Sequence, residues 1–261
     1  MERHILSSFT KGNKEIVMYN SIRTFSYLFG YLPFTIKRLN KVKKLSNKLD
    51  PAVRDFYVDE VPRIWASGIL KRTRSIISVT GIENLPEGPV LFVSNHEGNF
   101  DIPVLIASIP KPFGFISKIE VKKLPIINDW MEQMNCVFID RTDKRSAMRV
   151  LSDSSDMLKA GHSMIIFPEG TRSKGTGLQP FKSGFAKIAL DALVPIVPVA
   201  ISGTSGIMEK NNNKIRASHV FVEILPAIEV ETVKTLGRQE LVIHAESLIG
   251  ETLSSIIENQ S

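Results

Sequence analysis

PVLFVSNHEGNFD, residues 89–101, runs from a continuous apolar stretch into a polar cluster that contains a glycine. A short apolar run with branched residues, bounded by turn-forming residues, predicts a buried β-strand. SMIIFPEGTRS, residues 163–173, has the same arrangement, with glycine, hydroxyl residues and arginine after the apolar run. Ligands of open α/β sheets bind beyond the carboxyl ends of the strands, so both polar stretches are candidates for one site.

Seven short runs of this kind alternate with helical patterns along the second part of the chain. The strand-like runs cover 75–82, 89–95, 113–118, 136–141, 163–170, 195–201 and 219–226. Helical periodicity covers 145–160 and 183–192, and an amphipathic helix is predicted over 238–258. The alternation predicts an α/β fold with a mixed, largely parallel central sheet flanked by helices.

Residues 1–75 differ in composition from residues 76–261 and are predicted to form a separate helical segment. They hold 15 Lys and Arg against 6 Asp and Glu, and aromatic residues at 25–34 stand beside a lysine cluster at 37–48. This mixture predicts a two-helix element at a membrane interface, with a second helix over 60–74. The alternative is a helix packed on the α/β domain with a solvated basic face.

Two features of the composition narrow the possible classes of protein. Cys136 is the only cysteine, so an intrachain disulfide is impossible and a reducing compartment is expected. The early apolar window at 25–36 is shorter than the roughly 20 residues that a spanning helix needs. A nucleic-acid partner would explain the basic segment but not the later polar motifs, so none is expected.

His96 and Asp101 suit general-base chemistry. A neutral imidazole accepts a proton near pH 7, and a carboxylate on its other ring nitrogen fixes the tautomer. Five residues apart on a regular helix the two side chains would not meet, but Gly98 and Asn99 permit a turn between them. The competing interpretation is that Asp101 is the N-cap of the helix that follows and that His96 is a loop residue.

Arg172 follows the second strand and has the chemistry of an anion site. Its guanidinium offers a planar fork of donors that matches phosphate, while Gly170 lets the backbone approach a ligand and Thr171 adds a hydroxyl. The alternative is an ordinary loop whose arginine pairs with Glu169 or with another acid.

Four motifs in order, NHEGNFD (95–101), VFIDR (137–141), FPEGTRS (167–173) and VPIVPVAI (194–201), resemble those of the glycerolipid acyltransferases. The similarity is to the bacterial-type 1-acylglycerol-3-phosphate acyltransferases and covers roughly residues 76–205. It implies acyl transfer from acyl-CoA or acyl carrier protein to the 2-hydroxyl of lysophosphatidic acid, which gives phosphatidic acid. It also implies no cofactor, no metal and a peripheral or monotopic location at the cytoplasmic face of the cell membrane, on anionic phospholipid.

The resemblance also implies roles for particular residues. His96 is expected to be the general base and Asp101 its partner. The residues expected to bind substrate are Lys118, Arg141, Glu169, Gly170, Thr171, Arg172 and Pro195, with Arg172 on the phosphate and Pro195 assigned to the acyl donor or to site structure.

Gly98 departs from the family pattern, in which many members have serine, so the identity of the acceptor stays open. The alternatives are the same chemistry on glycerol 3-phosphate, on another lysophospholipid or on an amino-acid-based lysolipid. A non-catalytic lipid-binding relative is a further alternative, against which the presence of His96, Asp101 and Arg172 argues.

Overall fold

The central sheet has seven strands, one at each of the predicted runs. The structure, a computed structural model, describes residues 2–45, 49–140 and 142–259. The strands are β1 (Ile76–Thr80), β2 (Leu91–Ser94), β3 (Gly114–Lys118), β4 (Val137–Ile139), β5 (Met164–Ile166), β6 (Ile196–Ser202) and β7 (His219–Ile224).

The strand order is β1-β7-β6-β2-β5-β3-β4. Every neighbouring pair is parallel except β6 and β7, which are antiparallel. The predicted fold class, a mixed and largely parallel sheet, is therefore confirmed. Strands β5, β2 and β6 are neighbours that point in the same direction, so their carboxyl ends lie at one edge of the sheet.

Helices cover both faces of the sheet, which explains the continuous apolar character of its strands. Successive side chains of β2 point to opposite faces: Phe92 joins one apolar core, and Leu91 and Val93 join the other. Because both faces are buried, no polar alternation remains in the sequence of this strand.

Nine α-helices are seen within the described residues. The predicted first helix is divided at Tyr31, and the predicted second one begins at Pro51, where the Asp50 carboxylate accepts the backbone N–H of Ala52 at 3.0 Å. The helices are α1 (Glu2–Gly30), α2 (Leu32–Val42), α3 (Pro51–Thr73), α4 (Asp101–Ser108), α5 (Ile127–Gln133), α6 (Lys144–Lys159), α7 (Gly184–Ala192), α8 (Val230–Thr235) and α9 (Arg238–Glu258).

Helix α3 is packed into the α/β unit. Its residues Ala66 and Ile69 are buried in the same core as Phe92. At its other end, Asp55 accepts a hydrogen bond of 2.7 Å from Nδ1 of His162, which lies just before β5. These contacts connect residues before position 75 with residues after it. The division of the chain at residue 75 stays a prediction.

Helices α1 and α2 expose large apolar side chains as well as basic ones. Ile22 and Phe29 of α1 are more than half exposed, and Phe34 of α2 is 82% exposed. The opposite side of α2 is buried through Leu39 and Val42. Within the described part of the chain, no helix combines the length and the apolar character needed to cross a membrane.

Candidate active site

The polar motifs meet at the carboxyl ends of β6, β2 and β5. The backbone N–H of Ser173 donates to the carbonyl of His96 at 2.8 Å, and that of Lys174 donates to the carbonyl of Glu97 at 2.9 Å. Glu97 in turn accepts the backbone N–H of Gly203, which follows β6, at 3.0 Å. The residues after three adjacent strands are thus joined into one site, as the sheet topology predicts.

His96 and Asp101 are in direct contact. Nδ1 of His96 lies 2.6 Å from Oδ2 of Asp101. A carboxylate can only accept, so Nδ1 carries the proton and Nε2 has its lone pair available. The imidazole also stacks on Phe167, with 4.1 Å between the ring centres, which fixes the plane of the ring. This arrangement can remove a proton from a hydroxyl group that approaches Nε2.

Asp101 is completely buried, and both of its carboxylate oxygens accept hydrogen bonds from residues of the site. Oδ2 also accepts the backbone N–H of Gly98 at 3.0 Å, and Oδ1 accepts the hydroxyl of Thr204. Asp101 is the first residue of α4 and the N-cap position belongs to Phe100, so the interpretation of Asp101 as an N-cap is wrong. The carboxylate is directed back toward the turn because its donors lie there.

Glu169 holds the backbone of the first motif. Its Oε1 accepts the N–H of His96 at 2.6 Å, and its Oε2 accepts the N–H of Gln179 at 3.2 Å. Burial raises the pKa of Glu169, and these two hydrogen bonds oppose the rise. The expectation that Glu169 contacts substrate does not fit this geometry, because its side chain is buried and both oxygens have protein partners.

Arg172 lies over the turn between His96 and Asp101. Its Nη1 donates to the side-chain oxygen of Asn99, and the guanidinium is partly exposed. The alternative, in which Arg172 pairs with an acid, holds for another acid and not for Glu169: Nη1 of Arg172 lies 3.8 Å from Oε1 of Glu209. A partly exposed guanidinium near the imidazole can receive a phosphate or a carboxylate.

Gly170 and Lys182 add a second cation to this region. Gly170 has a φ of +70°, and a Cβ there would stand 2.7 Å from Nζ of Lys182. Glycine is therefore needed both for the backbone conformation and for the approach of the ammonium group. Thr171 is exposed beside it. Sequence reasoning missed Lys182, which no motif singled out.

The other predicted substrate residues have different positions. Lys118 is exposed at the end of β3, whose partner β5 leads into the site. Arg141 lies outside the described residues. Pro195 precedes β6, and its carbonyl accepts the N–H of Leu91 at the start of β2, about 16 Å of strand from His96. The structure does not bring Pro195 to the cleft, which leaves it a role in the framework of the sheet.

An apolar cavity of about 260 Å³ lies between the N-terminal helices and the sheet. It is lined in part by Ile102, the residue after Asp101, and extends between α2, α3, α4, β3 and α5. Its main walls are Leu32, Val61, Trp65, Ile106, Phe115 and Trp130. Such an apolar space can hold a hydrocarbon chain.

The described residues of the site include neither a thiol nucleophile nor a metal-binding cluster. Burial raises the pKa of the Cys136 thiol to about 12, so it is a core residue and not a nucleophile. Across residues 2–45, 49–140 and 142–259, no group of three or more His, Cys, Asp or Glu side chains is placed to bind a metal ion.

Comparison with known proteins identifies the family. Residues 76–202 match the acyltransferase family model. The 1-acyl-sn-glycerol-3-phosphate acyltransferase of Escherichia coli is 30% identical over 170 residues, which are 65% of this chain and 69% of the relative. The chain belongs to this acyltransferase family. The predicted family resemblance is thereby confirmed.

The similarity covers different shares of the length of other acyltransferases. The chloroplastic enzyme LPAT1 of Arabidopsis thaliana is 38% identical over 64% of this chain and 46% of its own length. This chain spans about half the length of the first curated relatives that it matches. The crystal structure of the lysophosphatidic acid acyltransferase PlsC from Thermotoga maritima covers 95% of this chain and 97% of its own, with TM-score 0.78 and 26% identity.

Glu169→Gln is expected to change the pH dependence of stability. Because burial raises the pKa of Glu169, the folded protein retains a proton that the unfolded chain releases from about pH 4.5 upward. The wild-type free energy of unfolding should therefore fall, relative to the variant, as the pH rises from about 4.5 through the raised pKa of the folded protein. Urea unfolding at several pH values measures this difference, and Glu231→Gln on the surface is the control. If the free energy of unfolding of the wild type, minus that of the variant, stays constant or increases with pH, the raised pKa of Glu169 is contradicted.

Proposed function

We propose that this protein transfers an acyl chain from acyl-CoA or acyl carrier protein to the 2-hydroxyl of lysophosphatidic acid, giving phosphatidic acid. The observation that carries the proposal is the 2.6 Å contact between His96 and Asp101. Asn99, in the turn between these two residues, accepts a hydrogen bond from Arg172. The acceptor is supported by the name shared by the relatives, which specifies 1-acyl-sn-glycerol-3-phosphate.

His96 acts as the general base in this proposal. Its Nε2 takes the proton of the acceptor hydroxyl while the hydroxyl oxygen attacks the carbonyl carbon of the thioester. The tetrahedral intermediate then collapses: the new C–O bond remains, the C–S bond breaks, and the thiol takes the proton from the imidazolium. Asp101 stabilises the imidazolium through Nδ1.

The reaction requires no cofactor, because the thioester is already an activated acyl group. Positioning and proton transfer are sufficient, and neither a covalent enzyme intermediate nor a metal is part of the proposal. The donor thus enters as a substrate.

Arg172 and Lys182 receive the phosphate of the acceptor in this proposal. Arg172 is partly exposed above the turn, and the Lys182 ammonium lies beside the close-approach position of Gly170. Two cations suit a phosphate that carries between one and two negative charges near neutral pH. Lys118 and Arg141 are proposed as additional contacts, and Thr171 as a hydroxyl donor.

The apolar cavity beside Ile102 is the proposed site for an acyl chain. Its walls carry almost no polar surface. An acyl chain there would place its carboxyl end near the His96–Asp101 pair, where the ester bond must form. Burial of each methylene group contributes about 0.8 kcal/mol, so the chain itself would supply much of the binding free energy.

Helices α1 and α2 are proposed to rest on the cytoplasmic face of the cell membrane. Exposed Phe29 and Phe34 would enter the headgroup region while neighbouring lysines meet anionic phospholipid. Both the acceptor and the product are lipids, so a site that opens at such a surface receives them without release into water. Residues 1–75 are thus proposed as a membrane-associating segment, and residues 76–261 as the unit that carries the catalytic pair.

His96→Ala is expected to lower acyl transfer about 100- to 10,000-fold, the contribution that general-base catalysis commonly makes. Purified protein is incubated with lysophosphatidic acid and each donor, and phosphatidic acid is measured by mass spectrometry. His162→Ala is the matched control, since it removes another histidine bonded to an aspartate, at 2.7 Å and away from the cleft. Turnover by folded His96→Ala at a comparable rate would exclude His96 as the base.

The same assay tests the acceptor. Glycerol 3-phosphate, a lysophospholipid with a larger headgroup and an amino-acid-based lysolipid are supplied in parallel with lysophosphatidic acid. The proposal expects the highest kcat/KM for lysophosphatidic acid. A higher value for any other acceptor reassigns the substrate, and lipid binding without any acylated product would identify a non-catalytic relative.

Arg172→Ala is expected to raise the KM for lysophosphatidic acid about 10- to 100-fold, the loss expected for one charge-assisted contact. The KM for the donor should change less than about threefold, since the guanidinium is assigned to the phosphate. Steady-state kinetics measure both constants, and Arg238→Ala at the exposed start of α9 is the control. An increase in the donor KM alone would show that Arg172 serves the other substrate.

Replacing Ile22, Phe29 and Phe34 together by serine is expected to weaken binding to vesicles at least about 10-fold. The reason is that full burial of one such side chain contributes a free energy of about 1.5–3 kcal/mol. Exposed residues are changed because deletion of α2 would uncover a core that Leu39 and Val42 fill. Co-sedimentation with phosphatidylglycerol vesicles measures binding. Met148→Ser with Ile243→Ser, also exposed, is the control. Unchanged co-sedimentation of the triple variant would assign membrane contact to another surface.

A further inference from the structure

Glu209 places a buried carboxylate directly beside the turn of the candidate active site. Its side chain is only 5% exposed, although it stands on a short 3-10 helix (Glu209–Asn211) that follows β6. Oε1 accepts the backbone N–H of Asn99 at 2.8 Å. Oε2 is buried without a hydrogen-bond partner among the described contacts. Burying a carboxylate oxygen without a hydrogen bond costs free energy of folding, so the other contacts of Glu209 must offset that cost. These contacts indicate its role.

Gly98 is the residue that makes room for this carboxylate. A Cβ at position 98 would stand 2.6 Å from Oε2 of Glu209 and 2.8 Å from its Cδ. Gly98 is not among the residues with positive φ, so the backbone conformation does not require glycine there. The requirement is for space, and Glu209 is what fills it.

Asn99 and Glu209 hold Arg172 between them. Nη1 of Arg172 donates to Oδ1 of Asn99 and lies 3.8 Å from Oε1 of Glu209. The three residues therefore form a closed network: Glu209 binds the backbone of Asn99, Asn99 binds Arg172, and the guanidinium faces Glu209. Both contacts use Nη1, which leaves the Nε and Nη2 donors of the guanidinium to face a ligand.

The charges within this network are consistent with a positioning role. A lone carboxylate beside a phosphate site would repel the ligand, whereas a carboxylate that faces a guanidinium has its charge largely offset. A long arginine side chain that is partly exposed otherwise samples many rotamers, and holding it in one geometry reduces the entropy lost on binding. Glu209 can therefore strengthen phosphate binding without touching the phosphate.

We propose that Glu209 is a positioning residue of the acceptor site, which holds the 98–99 turn and, together with Asn99, orients Arg172 toward the phosphate of the acceptor. Gly98 admits the Glu209 carboxylate to this place. The inference rests on the proposed function for the identity of the ligand, and on the contacts above for the role of the residue.

The test combines four variants: Glu209→Ala, Glu209→Gln, Gly98→Ser and the double variant Gly98→Ser/Glu209→Ala. Glu209→Ala should raise the KM for lysophosphatidic acid about 10-fold, with kcat and the donor KM changed less than about threefold. Glu209→Gln should restore the acceptor KM to within about threefold of the wild type, because the amide oxygen can still accept from Asn99. Glu231→Ala, on the surface of α8, is the matched control.

Gly98→Ser tests the packing contact. As a single change, Gly98→Ser should raise the acceptor KM about 10-fold, because its Cβ displaces the Glu209 carboxylate. When it is added to Glu209→Ala, it should raise the acceptor KM less than about twofold, since the space is then empty. An equal increase in both backgrounds overturns the proposal, as does an acceptor KM in Glu209→Ala within about twofold of the wild type.

A binding measurement separates this inference from the proposed reaction. Calorimetry with lysophosphatidic acid below its micelle concentration, without donor, should show a Kd raised about 10-fold in Glu209→Ala and restored in Glu209→Gln. If the wild type forms no phosphatidic acid but this pattern holds, the proposed reaction fails and the positioning role stands. An unchanged Kd overturns the role. If Glu209→Ala does not fold, Glu209→Asp, which keeps the charge but is too short to reach Asn99, carries the same expectation.

Discussion

The candidate site depends on one fully buried carboxylate, that of Asp101. An ionised side chain in a protein interior is tolerated only when donors surround it. Here the donors are the imidazole of His96, the backbone N–H of Gly98 and the hydroxyl of Thr204. Because they come from different segments, satisfying one side chain fixes the turn after β2, the start of α4 and the segment after β6 relative to one another.

A second histidine and aspartate in the same molecule show that the contact alone does not make a site. Nδ1 of His162 lies 2.7 Å from Asp55, nearly the distance found for His96, but His162 precedes β5 whereas His96 follows β2. The Asp55 carboxylate also accepts from Arg54 and Asn135, and the pair joins α3 to the sheet. What distinguishes His96 is its place at the carboxyl ends of the strands, before the turn in which Asn99 accepts a hydrogen bond from the partly exposed guanidinium of Arg172.

Much of the fold followed from local sequence patterns, and the site followed only in part. The seven strands were predictable because each is a short apolar run, and the His96–Asp101 contact because Gly98 and Asn99 permit the turn. The positions of Thr204, Lys182 and Glu209 in the site were not predictable, since they arise from contacts between segments far apart in the chain. Pro195 was assigned to the acyl donor or to site structure from the family resemblance alone, and it precedes β6, whereas ligands bind beyond the carboxyl ends of the strands. The short helices α5 and α8 lack a pattern long enough to predict.

The close contact of Gly98 with Glu209 restricts the routes by which this site can change during descent. Any side chain at position 98 meets the carboxylate, so a lineage that acquires one there first passes through an intermediate with a steric clash. If position 209 shortens first, the same second step encounters open space. Relatives that differ at these two distant positions should therefore have changed them in a preferred order, and a chimaera that combines a side chain at position 98 with Glu209 should inherit the clash.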